Sequence, residues 1–205
     1  MKRLLLLYLA LVLSPLAVNA QAGHEYSPLA EKTVNYKNWT LPNVKTDKPD
    51  ELRSLMTGKK LVMVVYFAPW CGNWRYEAPI AAKLYEKYKD QGFQVIGVSE
   101  YASRDEVKKF FGEAGPPYPV FTESETRDDK QKTTHYSYRQ LTGDTRNWGS
   151  PWNIFLEPAK LNGDGQVLAE KAWVVNGELI EDEVDKFISS KVSPISAGVI
   201  TPCKN

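Results

Sequence analysis

An unbroken apolar run stands out near the end of the first third of the chain. Residues 61–67 are all apolar and mostly valine or aromatic, with Gly58-Lys59-Lys60 before them and Ala68-Pro69 after them. A short continuous run of this kind is typical of a strand covered on both faces. We therefore expect a central strand of a sheet at this point.

Helical periodicity follows the apolar run. Four apolar positions share one face of the predicted helix, and they are Ile80, Leu84, Tyr85 and Tyr88. Gly92 is the expected stop, and residues 93–98 predict a second strand. Ser103 and Glu106 form a capping box before another helix, which Gly115-Pro116-Pro117 should end. The alternation of strand and helix predicts a layered α/β sheet.

The rest of the chain predicts fewer elements. Residues 152–156 and 166–175 read as two strands that pair as a hairpin across a glycine-rich turn at 162–165. A last helix buries a stripe of apolar side chains, namely Ile180, Val184, Phe187 and Ile188. Residues 21–49 lack sustained periodicity and are expected to form an extended lead-in. The domain is placed at 50–190, and residues 191–205 are expected to be a flexible tail.

The first twenty residues have the pattern of a secretory signal peptide. Lys2 and Arg3 precede an apolar stretch over 4–13, and Val18-Asn19-Ala20 forms a small-residue cleavage site. Cleavage after Ala20 or after Ala22 satisfies the rule equally. A membrane anchor is disfavoured because Ser14-Pro15 breaks the run below the roughly 20 residues needed for a span. We expect an extracytoplasmic protein, periplasmic or secreted, with no stable membrane span after signal removal.

Composition narrows the chemistry. The formal net charge of +1 indicates no nucleic-acid partner. Two cysteines, Cys71 and Cys203, exclude a disulfide-rich mini-fold. The two histidines, His24 and His135, lie far from both cysteines in sequence and show no ligand spacing, so no metal and no cofactor are expected.

The candidate chemistry lies between the first strand and the first helix. Trp70-Cys71-Gly72-Asn73-Trp74 occupies that junction, so Cys71 is expected at a helix N-terminus. Free backbone N–H groups and the positive end of the helix dipole stabilise a thiolate there. Because the thiolate is the nucleophile, Cys71 is placed to react with disulfides.

The motif resembles that of thioredoxin-like proteins of the TlpA and ResA (redoxin) type, which carry Trp-Cys-x-x-Cys-x-x-Glu-x-Pro. Trp70, Cys71, Glu77 and Pro79 match, and Trp74 stands where the second cysteine should be. The resemblance implies an α/β thioredoxin fold, with a mixed central sheet flanked by helices on both faces. It also implies that Cys71 attacks and that Glu77 moves protons.

The resemblance extends to a proline, usually cis, that faces the motif from the start of a later strand. Ser150-Pro151 fits that place. Together with Trp70 and Trp74, these two residues are expected to line a groove that holds an extended chain. An ordinary trans proline at a strand start is the alternative interpretation of Pro151. For Trp74 the alternative, which we favour, is a side chain that only fills the space beside Trp70.

The missing second cysteine limits which thiol–disulfide reactions the motif can carry out. Without a resolving thiol at position 74, a mixed disulfide on Cys71 cannot be released from within the motif, so a two-cysteine cycle there is excluded. Peroxiredoxin chemistry is disfavoured because Ala68 occupies the position, three residues before the cysteine, where those enzymes have threonine.

Three interpretations stay open. The first is an exported relative of thiol–disulfide oxidoreductases that acts through Cys71 alone on protein thiols or disulfides. The second is a redox-inactive polypeptide-binding or scaffold module, in which Cys71 is an inert remnant. In the third, Cys203 is a resolving or disulfide partner of Cys71, since an exported chain with two cysteines often pairs them.

Overall fold

The structure is a computed structural model that describes residues 23–163 and 165–193. The predicted signal segment 1–20 and Cys203 lie outside these residues. The strands are β1 (Tyr26–Ser27), β2 (Ala30–Lys37), β3 (Thr40–Pro42), β4 (Pro49–Glu51), β5 (Leu61–Phe67), β6 (Phe93–Ser99), β7 (Val120–Thr122), β8 (Trp152–Leu156), β9 (Val167–Val175) and β10 (Glu178–Leu179). The helices are α1 (Leu52–Leu55), α2 (Gly72–Tyr88), α3 (Arg104–Phe111), α4 (Thr134–Thr142) and α5 (Glu181–Val192).

A six-stranded mixed sheet organises the chain, in the order β2-β9-β8-β5-β6-β7. Strand β5 pairs in parallel with β6 and antiparallel with β8, and all seven of its residues are buried. This confirms the central strand predicted from the apolar run. Strands β8 and β9 pair antiparallel, as the predicted hairpin requires.

Helices cover both faces of this sheet. The buried side chains of α2, α3 and α5 join one core cluster, and those of α1 and α4 join the cluster on the opposite face. The capping box predicted at the start of α3 is present, with both Ser103 and Glu106 bonds formed. The α/β thioredoxin fold, a mixed sheet flanked by helices on both faces, is therefore confirmed.

The main element missed from the sequence is β2. Its Ala30–Lys37 segment lies within the predicted lead-in, yet it forms an edge strand paired antiparallel with β9. Val34 and Tyr36 point into the core while their neighbours are exposed. Helix α3 also ends sooner than predicted, because Gly112 is its C-cap with a positive φ of 68°.

Within the described residues, no helix is long and apolar enough to cross a membrane.

Candidate functional site

Cys71 is the N-cap residue of α2, as the sequence predicts. Its backbone is extended, its N–H donates to the Ala68 carbonyl at 2.9 Å, and its carbonyl accepts from the Arg75 N–H at 3.2 Å. The side chain is partly exposed and forms no disulfide within the described residues. Its sulfur is therefore accessible at the positive end of a long helix.

The Ser150-Pro151 loop faces this cysteine. The peptide bond between the two residues is cis. The Cys71 Sγ donates to the Ser150 carbonyl at 3.1 Å, and the Ser150 Oγ accepts from the Ala68 N–H at 2.8 Å. The structure thus brings Cys71, Ser150 and Pro151 together, from two segments about 80 residues apart in sequence.

Trp74 does not line this surface, and the expectation that it binds an extended chain is wrong for this structure. Its side chain is fully buried and stacks on Phe67, with ring centroids 4.4 Å apart. The cause is helical periodicity, since Trp74 falls on the same inward face as Leu84 and Tyr88. The residue that replaces the second cysteine is therefore part of the core.

Glu77 is a fully buried carboxyl on that same helix face. Its Oε2 accepts from the Leu179 N–H at 2.8 Å and from the Asn153 side-chain amide at 3.3 Å. Its Oε1 has no hydrogen-bond partner within the described chain. Burial raises the pKa of Glu77 to about 8, against the smaller opposing effect of those two hydrogen bonds. The residue is therefore largely protonated at neutral pH.

A second buried carboxyl, Glu100, follows directly after β6. It is fully buried, and its N–H donates to the Phe67 carbonyl at 2.8 Å. Burial first, and the negative charge of Glu123 second, hold the pKa of Glu100 well above its usual range. This part of the domain therefore contains two acids that are neutral over a wide pH range.

His135 braces the loop that carries Ser150. Its Nε2 donates to the Gly149 carbonyl at 3.2 Å, and its Nδ1 accepts from the Tyr101 hydroxyl at 3.2 Å. Burial lowers the pKa of His135 well below its usual range, so the ring is neutral and can serve as donor and acceptor at once. The sequence offers no spacing signal for this contact, because it joins α4 to a loop.

Buried charges fix the same loop from the other side. The Arg139 Nε donates to the Asp144 carboxylate at 3.0 Å, and Arg146 donates to Asp144 at 2.7 Å and to the Pro151 carbonyl at 2.8 Å. Gly149 has a φ of +60°, and a Cβ there would lie 1.7 Å from the Arg139 Nε. Glycine is therefore required at this position.

Trp70 is half-buried and its Nε1 donates to the Tyr101 carbonyl at 3.0 Å. It meets Trp148 edge to face, with ring centroids 5.2 Å apart. Beside it lies a cavity of about 330 Å³. The cavity is lined by Pro69, Trp70, Arg75, Glu106, Lys109 and Phe110. Sequence reasoning found Trp70 but missed Trp148, which lies in an irregular loop.

Within the described residues, no group of three or more His, Cys, Asp or Glu side chains is arranged to hold a metal ion.

Comparison with solved structures gives the fold. The thioredoxin domain of a thiol-disulfide oxidoreductase from Bacteroides vulgatus superposes with a TM-score of 0.53 at 23% identity, over 81% of this chain and 100% of that one. A DsbF homologue from Corynebacterium diphtheriae gives 0.53 at 17% identity, over 76% and 85% of the two chains. A secreted disulfide oxidoreductase of Mycobacterium tuberculosis, homologous to E. coli DsbE, gives 0.52 at 15% identity, over 74% and 95%.

Comparison with curated sequences finds partial matches. The chain is 26% identical to the Arabidopsis thaliana protein named "Probable phospholipid hydroperoxide glutathione peroxidase 6, mitochondrial", over 71% of this chain. It is 43% identical to thioredoxin-2 of Saccharomyces cerevisiae, but only over 47 residues, or 23% of this chain. It spans 65% and 45% of the lengths of these two proteins, which is less than two thirds of each.

A family model described as Redoxin matches residues 33–147, more than half of the chain. The match includes the strand β5, the cysteine at the N-terminus of α2 and the buried Glu77. On this match, the chain belongs to the Redoxin family.

Proposed function

We propose that this protein is exported and exchanges disulfides with client polypeptides through a single cysteine, Cys71. The observation that carries the proposal is the contact between the Cys71 Sγ and the Ser150 carbonyl, 3.1 Å apart, next to the cis Pro151. This contact places a partly exposed sulfur at the N-terminus of α2, against the loop that carries the cis proline. A buried structural cysteine has no need of either feature.

The reaction is thiol–disulfide exchange. The Cys71 thiolate attacks one sulfur of a client disulfide, an S–S bond forms between Cys71 and the client, and the other client sulfur leaves as a thiolate. Trp74 holds the place of a resolving cysteine and is locked in the core. Release of the client therefore requires a second thiol from outside the motif. This thiol attacks the client sulfur of the mixed disulfide and forms a new S–S bond with the client, and Cys71 leaves as a thiolate.

Glu77 is proposed to exchange the proton that Cys71 loses and regains. Its pKa of about 8 allows Glu77 to hold or release a proton near neutral pH, as a proton-transfer group must. Its free Oε1 supplies a site for the proton, while Leu179 and Asn153 hold Oε2 in place.

Export rests on the N-terminal segment with its basic start, apolar stretch and Val18-Asn19-Ala20 site. Thiol chemistry on client disulfides also suits an oxidising compartment, where such disulfides persist. Periplasmic and secreted locations satisfy both arguments equally.

Two alternative functions differ in whether they need the Cys71 thiol. A redox-inactive binding module needs the half-buried Trp70 and the Ser150-Pro151 loop but no thiol. Reduction of hydroperoxides is favoured by the name of the Arabidopsis thaliana relative, which matches 71% of this chain. In that reaction the Cys71 thiolate attacks a peroxide oxygen, the O–O bond breaks, and a sulfenic acid and an alcohol form.

The test is stoichiometric capture by the mature protein. A peptide whose single cysteine is disulfide-bonded to 5-thio-2-nitrobenzoate reports attack by the release of the coloured thiolate. We expect one captured peptide per chain at Cys71, and little reduction of insulin with added dithiol. The parent protein of the test carries Cys203→Ser, because a second free thiol would also react with the peptide disulfide. Adding Cys71→Ser to this parent should abolish capture.

Other outcomes assign the protein elsewhere. Equal capture by the parent and by Cys71→Ser would exclude the proposed function. Consumption of a hydroperoxide that depends on Cys71, together with absent capture, would favour the peroxidase. Binding of the thiol-free peptide by both proteins without capture would favour the binding module.

A further inference from the structure

Three aromatic rings beside Cys71 each have a cationic side chain over one face. The members of this cation–aromatic strip are Arg75 with Phe110, Arg127 with Trp70, and Lys130 with Trp148. We propose that the strip is the docking surface for the client, and that the client is an extended polypeptide segment with acidic side chains near its reactive cysteine. This inference rests on the proposed function and names its substrate class.

The strip lies next to the reactive sulfur. Trp70 immediately precedes Cys71 in sequence, and Trp148 lies two residues before Ser150, whose carbonyl accepts from the Cys71 Sγ. The Trp70 and Trp148 rings touch, with centroids 5.2 Å apart. A segment bound along the Trp70 and Trp148 rings would therefore lie near the thiol.

The cations are held in place by the rings. The Arg127 guanidinium carbon lies 4.3 Å from the Trp70 ring centre, the Lys130 Nζ lies 4.9 Å from that of Trp148, and the Arg75 guanidinium carbon lies 5.5 Å from that of Phe110. Contacts in this range are attractive even at exposed sites. Pre-positioned cations lose less side-chain entropy when a ligand binds.

These three cations are not neutralised by the protein. Among the ion pairs of the described chain, none involves Arg75, Arg127 or Lys130, and Lys130 donates only to the Asn147 amide oxygen. Other basic residues nearby are paired, as Arg104 is with Asp47 and Glu125. The strip therefore presents positive charge that the fold does not use.

The acidic residues near the strip offset part of this charge but form no ion pair with its three cations. Glu106 lines the adjacent cavity and its negative charge acts on Arg127, while its carboxylate accepts from the Ser103 N–H and hydroxyl in the capping box. Asp129 is paired with Lys132. Asp128 is the remaining carboxylate on the turn that carries Arg127, while Lys109 adds a fourth cation at the cavity.

The partner chemistry follows from this arrangement. Flat aromatic faces suit the backbone and apolar side chains of an extended chain, and the surrounding cations select carboxylates. The residues of the strip come from α2, α3, the turn after β7 and the loop before β8. The strip is therefore too long to be covered by one side chain of a ligand. A polypeptide that brings several carboxylates at once fits it better than one small anion.

The experiment compares two peptides with the same reactive disulfide to 5-thio-2-nitrobenzoate. One has acidic residues on both sides of its cysteine, and the other has the matching amides. At about 0.01 M salt we expect the acidic peptide to react with Cys71 about 10-fold faster. At about 1 M salt, where the Debye length falls to ~3 Å, the ratio should approach one.

Two matched variants locate the effect. Arg75→Gln, Arg127→Gln and Lys130→Gln combined should abolish the preference for the acidic peptide. Lys37→Gln, Lys171→Gln and Lys186→Gln combined remove the same number of charges from exposed positions outside the strip and should retain it. Circular dichroism of both variants checks that they are folded.

The remaining outcomes separate this inference from the proposed function. Equal rates for the two peptides, or equal loss of preference in both variants, would overturn the docking surface while leaving exchange at Cys71 intact. Oxidised glutathione reacting as fast as the acidic peptide would assign the strip to a small anion instead. If neither peptide reacts, the proposed exchange at Cys71 is wrong, and the docking surface is then tested by the binding of cysteine-free versions of both peptides to the Cys71→Ser protein. A 10-fold higher affinity for the acidic peptide would support the docking surface, and equal affinities would refute it.

Discussion

The Trp74 indole stacks on the Phe67 ring, with centroids 4.4 Å apart and planes inclined by 25°. Phe67 is the last residue of the central strand, so Trp74 packs the start of α2 onto the sheet directly below Cys71. The position that would hold a resolving cysteine instead contributes one of the largest buried side chains of the described chain. Where a second cysteine would supply a resolving thiol, this protein has an apolar contact between Trp74 and Phe67.

Removing this ring should be costly. We expect Trp74→Ala to lower the free energy of unfolding by about 3–5 kcal/mol, because it leaves a cavity beside Phe67. Trp74→Phe, which keeps a ring against Phe67, should cost less than half as much. Urea unfolding followed by circular dichroism measures both. A Trp74→Ala change below ~0.5 kcal/mol, as at a surface position, would contradict the buried placement.

A cysteine at position 74 should restore the missing pair. In the mature protein carrying Trp74→Cys, we expect a disulfide with Cys71 under oxidising conditions, because i,i+3 spacing at a helix start suits one in the proteins that this motif resembles. Thiol titration and mass spectrometry of the double variant with Cys203→Ser give the answer directly. Two free thiols at 71 and 74 after oxidation would mean that the motif is aligned wrongly.

The loop before Pro151 should not accept a side chain at Gly149. Ala at this position would have to take a positive φ, with its Cβ 1.7 Å from the buried Arg139 Nε. We expect a loss of about 3 kcal/mol or more, together with slower capture at Cys71. Gly163→Ala is the matched control, since its Cβ would meet nothing within 4 Å, and it should change stability by less than ~0.5 kcal/mol.

Glu77 should make the protein less stable as the pH rises. Its pKa is about 8 when folded and near 4.3 when unfolded, so between these values only the folded state holds the proton. This contribution is complete below pH ~4.3 and is lost at about 1.4 kcal/mol per pH unit up to pH ~8. The Glu77→Gln variant does not titrate at this position, so it lacks this pH-dependent contribution to stability.

The readout is therefore a difference between two proteins. Unfolding free energies of the parent and of Glu77→Gln should converge or cross as the pH rises from 5 to 8, because only the parent loses the Glu77 contribution. Glu100 acts in the same direction in both proteins and cancels from the difference. A difference that stays constant across this range would show that Glu77 titrates normally in the folded state.

The pairing of Cys71 with Cys203 remains a prediction, since Cys203 lies outside the described residues. If it forms, non-reducing peptide mapping of protein from its native compartment should recover a Cys71–Cys203 peptide. A Cys71–Cys203 disulfide should also slow the capture of a client disulfide until a reductant is added, because Cys71 is not free to attack while it is paired. Free thiols at both positions after mild oxidation would leave Cys71 as a single-cysteine site.

The sequence predicts the core elements because local patterns determine them. Strand β5 follows from seven consecutive apolar residues, and the start of α3 follows from the Ser103–Glu106 capping box. The cis proline was placed by its resemblance to the family rather than by any local pattern. The contact of Cys71 with Ser150 follows from these elements once the sheet is assembled.

The sequence leaves two interpretations of Trp74, a residue of the groove and a side chain that only fills space, and its burial agrees with the second. The inward face of α2 repeats at intervals of three and four residues, and its buried members are Trp74, Glu77, Ala81, Leu84 and Tyr88. Glu77, an ionisable residue, interrupts this stripe in the sequence. The neighbouring helix face, which contains Ile80 and Tyr85, therefore has a similar number of apolar residues and is an equally good candidate for the buried face. A buried carboxyl is stable there only because Leu179 and Asn153 provide hydrogen bonds that the sequence does not show.

The cation–aromatic strip could not be predicted in this way. Arg127, Lys130 and Trp148 lie in irregular segments, and the charged stretch 123–132 reads as an ordinary solvated loop. Only the folded chain brings these residues to Trp70. Local periodicity carries no information about contacts between loops.

The pairing of β2 with β9 also constrains how the chain is made. Ala30 lies opposite Val174 and Thr33 lies opposite Lys171, so a strand synthesised near the beginning pairs with one synthesised near the end. Until about residue 175 has left the ribosome, Val34 and Tyr36 have no sheet to cover. The pairing of β2 with β9 is therefore a non-local step that can follow only after β5, α2 and β6 have been synthesised.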